Sequence, residues 1–286
     1  MSNWSASACS VSGTTNSGDD IIILWATFLR SWTVTRRAYP WTFLVATLLL
    51  GGLTIGLAYI AFHAIGGGQV GAEFADKSGT TDYFGFVAVG AAVYMFTVRL
   101  MLWISRAFIE EEREGSLGAL LVTPASRFRY LLGRTVFGIF NALLEVMVLA
   151  VFAVFLGATM VPALPFLFLA ATLALVVATF GMSLLLALAM TVAGEAHITQ
   201  NTMFYGMALL CGFTFPVSYL PEPVQWLAAT LPITPALDVI RASMTGLESG
   251  DSIWRLGFSA VLGLTYSAVG LRLLPHAMQR AMERSY

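Results

Sequence analysis

The sequence predicts an all-α polytopic membrane protein: six transmembrane helices preceded by an amphipathic interfacial helix, with re-entrant half-helices between spans five and six. Three observations lead there. Of 286 residues, 58% are hydrophobic and only 11% are charged, against roughly 25% charged in an average soluble domain. That leaves too little polar surface to wet a globule of this size. Mean hydropathy is +0.79. Finally, residues 41–65, 83–104, 131–156, 165–193, 200–215 and 253–274 form apolar runs on the scale of the ~20 residues that cross a hydrocarbon core. The fourth run is overlong and must tilt or protrude, and the fifth is short, stopping at Pro216.

The segments before the first span have their own logic. Residues 1–20, rich in Ser, Gly, Thr and Asn, bury nothing and read as a disordered polar tail. A cleaved signal peptide places basic residues before its apolar run; here Asp19 and Asp20 come first and the arginines follow. Residues 21–38 read as a helix. Steps of ~100° gather Ile21, Trp25, Phe28, Leu29 and Trp32 on one face, with Thr27, Arg30, Thr33 and Arg37 opposite. The apolar stretch is too short to cross, so it is expected to lie in the membrane plane; the alternative is an amphipathic helix packed on protein. Residues 39–286 then form a single six-helix domain, with a polar loop at 105–134 and an outer segment at 216–251.

Charge position sets orientation, because Lys and Arg concentrate in cytoplasmic loops. Arg30, Arg36 and Arg37 precede span one; Arg106, Arg113, Arg127, Arg129 and Arg134 lie between spans two and three; Arg280 and Arg284 follow span six. With six spans these fall on one side, making both termini cytoplasmic. The opposite loops hold Lys77, Arg241 and Arg255 among seven acids, from Glu73 to Asp251. A net charge of −1 argues against a nucleic-acid partner. Cys9 lies in the polar tail and Cys211 in an apolar run, so neither a disulfide scaffold nor a metal site is expected.

The loop at 105–134 is dense in mixed charge, yet its centre, residues 116–122, is apolar and bounded by Gly115 and Pro124. Ser116 can cap a short helix there, and Pro124 ends it. Such a helix must be buried against something, either the chain's own surface or a groove on a second protein. The run Glu111-Glu112-Arg113-Glu114-Gly115-Ser116-Leu117, followed by Leu120-Leu121-Val122-Thr123-Pro124 and Ser126, resembles the signature of ABC type-2 permeases: an acid, three residues, Gly-Ser/Thr-Leu, then Leu-x-x-Thr-Pro-x-Ser. A second stretch, Phe215-Pro216-Val217-Ser218-Tyr219-Leu220-Pro221 through Leu231-Pro232-Ile233-Thr234-Pro235, is similar to the family's Phe-Pro-x-x-x-Leu-Pro…Leu-Pro pattern after span five. The chain departs from the family at Gly118, where many members carry Glu.

The resemblance implies that Glu110, Glu111, Arg113, Glu114, Gly115, Ser116, Leu117, Leu120, Thr123 and Pro124 form a coupling helix seated in an ATP-binding subunit. It also implies that Phe215, Pro216, Leu220, Pro221, Pro232 and Pro235 belong to two half-buried re-entrant helices closing the outer end. The expected assembly pairs two permeases, identical or homologous, with two ATP-binding subunits in a prokaryotic plasma membrane. Cargo would move outward along the permease interface. No GxxxxGK[ST] loop occurs in the chain, so no lysine is set to reach nucleotide phosphates. The chain is therefore expected to be no enzyme and to hold no cofactor itself, with ATP and Mg bound by the partner.

Polar residues inside the spans are costly and so face protein or water. Arg99, Asn141 and Glu145 are the candidates. Asn141 and Glu145, four apart, share a helix face. Glu145 lies about 21 Å along its helix from Leu131, and Arg99 about 10 Å in from Arg106. Glu145 either contacts cargo or a gate, or pairs structurally with Arg99 or with Asn and Thr groups nearby. Gly52 with Gly56, and Gly263, Ser267 and Gly270, are small-residue faces suited to helix packing. His63, His197 and His276 are scattered, and His197 with Glu195 could touch the ATPase. Sparse charge in the spans suits an amphiphilic cargo such as a drug, lipid or lipid-linked glycan. The alternative, an ion-coupled secondary transporter, calls for matching halves and midplane acids; the spans offer one deep acid and no visible repeat.

Overall fold

The computed structural model describes residues 17–38, 45, 49, 52–53, 55–57, 59–60, 63, 72–78, 80, 82–107, 109–110, 127–158, 161–246 and 250–284. Helices are the regular elements among them, with no strand: α1 (Ser17–Ala38), α2 (Ala72–Ser78), α3 (Tyr83–Ser105), α4 (Arg127–Phe155), α5 (Pro165–Ala193), α6 (Ala196–Leu210), a 3-10 turn (Val217–Tyr219), α7 (Glu222–Thr230), α8 (Ile233–Thr245) and α9 (Ser252–Arg284). Four segments, Tyr83–Ser105, Arg129–Phe155, Pro165–Ala193 and Ser252–Leu274, are long and apolar enough to cross a membrane. In α3 and α5 more than three-fifths of the apolar window is buried within the chain, against 22% in α9. The first two are central, and α9 covers α5 from outside.

The expected first span falls largely outside the described residues. Those described between 45 and 60 are helical. Val45, Leu49, Leu53 and Leu57 recur every fourth residue on an exposed stripe, while Ile55 is fully buried. Ile55 joins Phe84, Ala88, Leu149 and Ala153 in one cluster, so this segment packs beside α3 and α4. Gly52 faces Phe152 at ordinary contact distance, but a Cβ on Gly56 would meet nothing within 4 Å.

The expected fifth span is shorter still than the sequence suggests. It forms α6, 15 residues from Ala196 to Leu210, about 22 Å at helical rise and short of a ~30 Å hydrocarbon core. The chain turns at Gly212, whose φ is +74°. A Cβ there would sit 2.7 Å from Val217 Cγ2 as well as in a left-handed backbone, and glycine removes both penalties. Phe215 therefore lies beyond the helix rather than at its end.

α5 and α9 meet backbone to backbone. A Cβ on Gly263 would lie 2.8 Å from Ala178 Cα, and one on Gly270 2.5 Å from Leu184 Cβ; one on Gly181 would overlap the Gly263 carbonyl. The small-residue face of span six is thus used within the chain. Close approach of this kind maximises dispersion contact where no hydrophobic force drives helices together.

α1 begins at Ser17, four residues earlier than the helix start expected at residue 21. Asp19 and Asp20 then fall in its first turn, where acidic residues suit the positive end of the helix dipole. Its expected apolar face divides. Phe28 packs edge-on against Phe137 and Phe140 of α4, and Trp32 against Phe140, with Ser31 buried. Trp25 and Leu29 stay exposed, at 59% and 43%.

α7 and α8 form a helical hairpin. α8 buries Ile233, Ala236, Leu237 and Ile240, whereas α7 leaves Trp226 and Leu227 exposed. The hairpin tip rests on α9: the Ser259 hydroxyl donates to the Pro232 carbonyl at 2.7 Å, and the Tyr266 hydroxyl to the Thr230 carbonyl at 2.9 Å. Ser259 and Tyr266 are seven and fourteen residues into α9, so the tip lies against that helix between about 10 and about 21 Å from its start. The far end of α8 returns to the start of α5, where the Leu164 N–H donates to the Ser243 carbonyl at 3.0 Å.

Candidate functional site

At one end of the bundle the 105–134 loop leaves α3 and enters α4, and polar contacts pin its base. Arg134 on α4 pairs with Glu110, and its guanidinium carbon lies 5.2 Å from the Trp103 ring centroid. The Tyr130 hydroxyl donates to the Ala107 carbonyl at 3.3 Å. Arg106, just past the end of α3, reaches sideways to α6: its Nε donates to Gln200 Oε1 at 2.8 Å, and its Nη2 lies 3.4 Å from His197 Nδ1. Three helices are therefore joined at this loop end. Of the expected coupling residues, Glu110 stands in this cluster. Glu111, Arg113, Glu114, Gly115, Ser116, Leu117, Leu120, Thr123 and Pro124 lie outside the described residues.

Within the bundle, Arg99 Nη2 lies 2.6 Å from Glu145 Oε1. Glu145 is 1% exposed and the Arg99 side chain 25%. Gly138 of α4 sits opposite Leu100 and Trp103 of α3, so Glu145, two turns further along α4, lies beyond Arg99 in level. The arginine must extend away from the loop end to meet it, and its long stem makes that reach. Asn141, 6% exposed, is not drawn into the pair. Its Nδ2 has no hydrogen-bond partner among the described residues.

At the opposite, hairpin end, the turn that follows α6 carries main-chain carbonyls, those of Gly212 and Phe213, which need donors in apolar surroundings. Arg241 of α8 satisfies them. Its Nη1 donates to the Gly212 carbonyl at 2.9 Å and its Nη2 to the Phe213 carbonyl at 2.8 Å, with a longer 3.4 Å contact to the Phe86 carbonyl of α3. The guanidinium carbon stands 3.5 Å from the Phe86 ring centroid, within cation–π range. Burial lowers the Arg241 pKa from its ordinary value, while Asp238 opposes the shift; a guanidinium nevertheless stays protonated in proteins. Gly90 makes room, since a Cβ there would overlap the Phe213 carbonyl and the Arg241 guanidinium. Asp238 pairs with Arg255 of α9 at 3.0 Å.

The expected outer-gate residues gather around this knot. Pro216, Pro232 and Pro235 are buried, Phe215 and Leu220 half-buried, and Pro221 exposed. Pro221 and Pro232 are the caps before α7 and α8. Arg241 is the residue that sequence reading passed over, as one more charge in an outer loop. Its signal was its place on an amphipathic segment following a Gly-Phe-Thr-Phe-Pro break. No group of three or more His, Cys, Asp or Glu suited to a metal occurs among the described residues.

No curated protein matches the chain. The family model described as ABC-2 type transporter matches residues 21–245, a stretch running from α1 through the loop, the pair and the knot to the end of α8. Joined to the apolar spans and the two motif-bearing segments, that match makes the chain a member of the ABC-2 type transporter family, an integral membrane permease component.

Proposed function

We propose that the chain is the permease of an ATP-driven exporter that moves an amphiphilic molecule outward, powered by a separate ATP-binding subunit. The reading adopts two permeases with two ATPase copies, six spans, and cytoplasmic termini in a prokaryotic plasma membrane. α1 would lie at the inner interface with Trp25 and Leu29 in lipid, and the α7–α8 hairpin would be re-entrant from the outside. The coupling segment, Glu110 through Pro124, would seat in the ATPase, which holds ATP and Mg.

One observation carries the proposal. The motif-bearing loop rises from a base that ties α3, α4 and α6 together, through Glu110–Arg134, Tyr130–Ala107 and Arg106–Gln200, while the hairpin sits at the opposite end. A push on the loop is therefore received by three helices at once. The ion-coupled alternative needs a deep acid available to a coupling ion; Glu145 instead faces Arg99 at 2.6 Å.

The test is co-purification. Full-length chain extracted from its own membranes is expected to bring a Walker-motif ATPase with it, and Leu117→Asp is expected to release that ATPase while the chain stays folded. Cargo movement by the isolated chain in nucleotide-free vesicles would overturn the reading.

A further inference from the structure

α6 is a short rod gripped at both ends by arginines from other helices. At the loop end, Arg106 holds Gln200 and approaches His197 in the first turns of the helix. At the hairpin end, Arg241 holds the carbonyls of Gly212 and Phe213 just past its last turn. Between those grips the helix is held sideways by a buried stripe that continues from Gln200 through Phe204 and Met207, the last two apolar. The opposite face, including Tyr205 at 74% and Leu209 at 56%, is exposed. An apolar stripe resists sliding weakly, because dispersion contacts are individually small and non-directional. A guanidinium fork is directional and fixes the position of what it binds. Fifteen residues of uninterrupted α-helix between two such forks transmit displacement along the axis.

We propose that α6 is a strut, and that Arg106 and Arg241 are positioning residues that fix its ends. Movement at the loop base is thereby delivered to the α7–α8 hairpin. The proposal rests on the ATP-driven reading above and adds to it a specific line of transmission. The same two arginines close α6 against α3 at both levels: Arg106 follows the end of α3, and Arg241 covers the Phe86 ring near its start. The hairpin's links to α9, the half-exposed Asp238–Arg255 pair and two hydroxyl contacts at the tip, and the Leu164–Ser243 main-chain bond at the start of α5 are then the ones that must yield when it moves. Coupling is a free energy shared by two sites, and it is read directly as a change at the hairpin when nucleotide binds the ATPase.

Glu222, exposed at the start of α7, is replaced by Cys in a Cys9→Ser chain. The complex with its ATPase is reconstituted, and labelling by a membrane-impermeant maleimide is timed with and without ATP plus vanadate. The parent is expected to change its labelling rate about fivefold as the ATPase closes, and Arg106→Gln and Arg241→Gln each to less than about twofold, with bound ATPase and basal hydrolysis retained. Arg106→Lys, which keeps a donor for Gln200, restores part of the change. The double Gln variant is no worse than either single, as links in series require. Should an arginine variant fail to assemble, Gln200→Leu decides the matter by removing the acceptor alone. Variants that keep the parent's nucleotide response overturn the strut. A parent that binds the ATPase yet shows no response overturns this inference alone, whereas a parent that binds no ATPase overturns the ATP-driven reading beneath it.

Discussion

Two arginines are held inside this bundle by opposite means. Arg99 meets a carboxylate, Glu145, across the α3–α4 contact; Arg241 meets main-chain carbonyls left over where α6 breaks. In the first case two charges cancel, and each is there because the other is. An isolated ion in such surroundings costs several kcal/mol, so losing one partner is worse than losing both. In the second case the cation serves neutral dipoles. The break at Gly212 comes first in the logic, and the guanidinium is the donor that lets a helix end away from water. One site neutralises charge, and the other finishes a backbone.

Substitutions can sharpen or break that contrast. The largest effect is expected from Gly90→Val, because the added atoms would overlap the Phe213 carbonyl as well as Arg241. A backbone obstacle cannot rotate aside, so a loss of about 4 kcal/mol or more is expected, read as failure to assemble or a collapsed melting temperature in detergent. A melt like that of the parent would show the knot to be looser than drawn. Next comes Glu145→Ala, which strands Arg99 and is expected to cost about 3–5 kcal/mol; Arg99→Leu/Glu145→Leu should recover most of it. If the double variant is as unstable as the single, the two residues do not function as a neutralising pair. The smallest effect is expected from Arg255→Gln. Its bond to Asp238 joins side chains 47% and 39% exposed, and screened pairs of this kind contribute about 0–1 kcal/mol. A larger melting shift would mean that the hairpin's hold on α9 rivals its hold on α6.

Legibility in the sequence tracked how local each feature is. The limits expected for spans two and four match α3 and α5 to within a residue, because a long apolar run dictates its own helix and caps. The fifth was overestimated. Composition counts Cys211 to Phe215 as apolar, but the end of α6 is set by a positive φ at Gly212, a conformational fact that hydropathy does not carry. The two depths, about 10 Å for Arg99 and about 21 Å for Glu145, leave a gap that the arginine stem spans by extending away from the loop end. The face of α1 was divided by its neighbour. Periodicity groups Phe28 with Trp25 and Leu29, yet α4 offers Phe137 and Phe140 to the first and nothing comparable to Leu29. Between spans five and six the sequence pattern places two short amphipathic pieces, at 223–230 and 235–245, and α7 and α8 begin within two residues of those starts.

The seam between α5 and α9 has a consequence for how such a chain can change over generations. At Gly181, Gly263 and Gly270 one helix presents bare backbone to the other, which meets it with main chain or with no more than the Cβ of Leu184 or Tyr266, so there is little to trim or re-aim. Volume added there pries the helices apart along their length. Side chains with room to vary lie elsewhere, chiefly on the open faces of α4, α6 and α7. The seam endures as a keel, and adaptation happens around it.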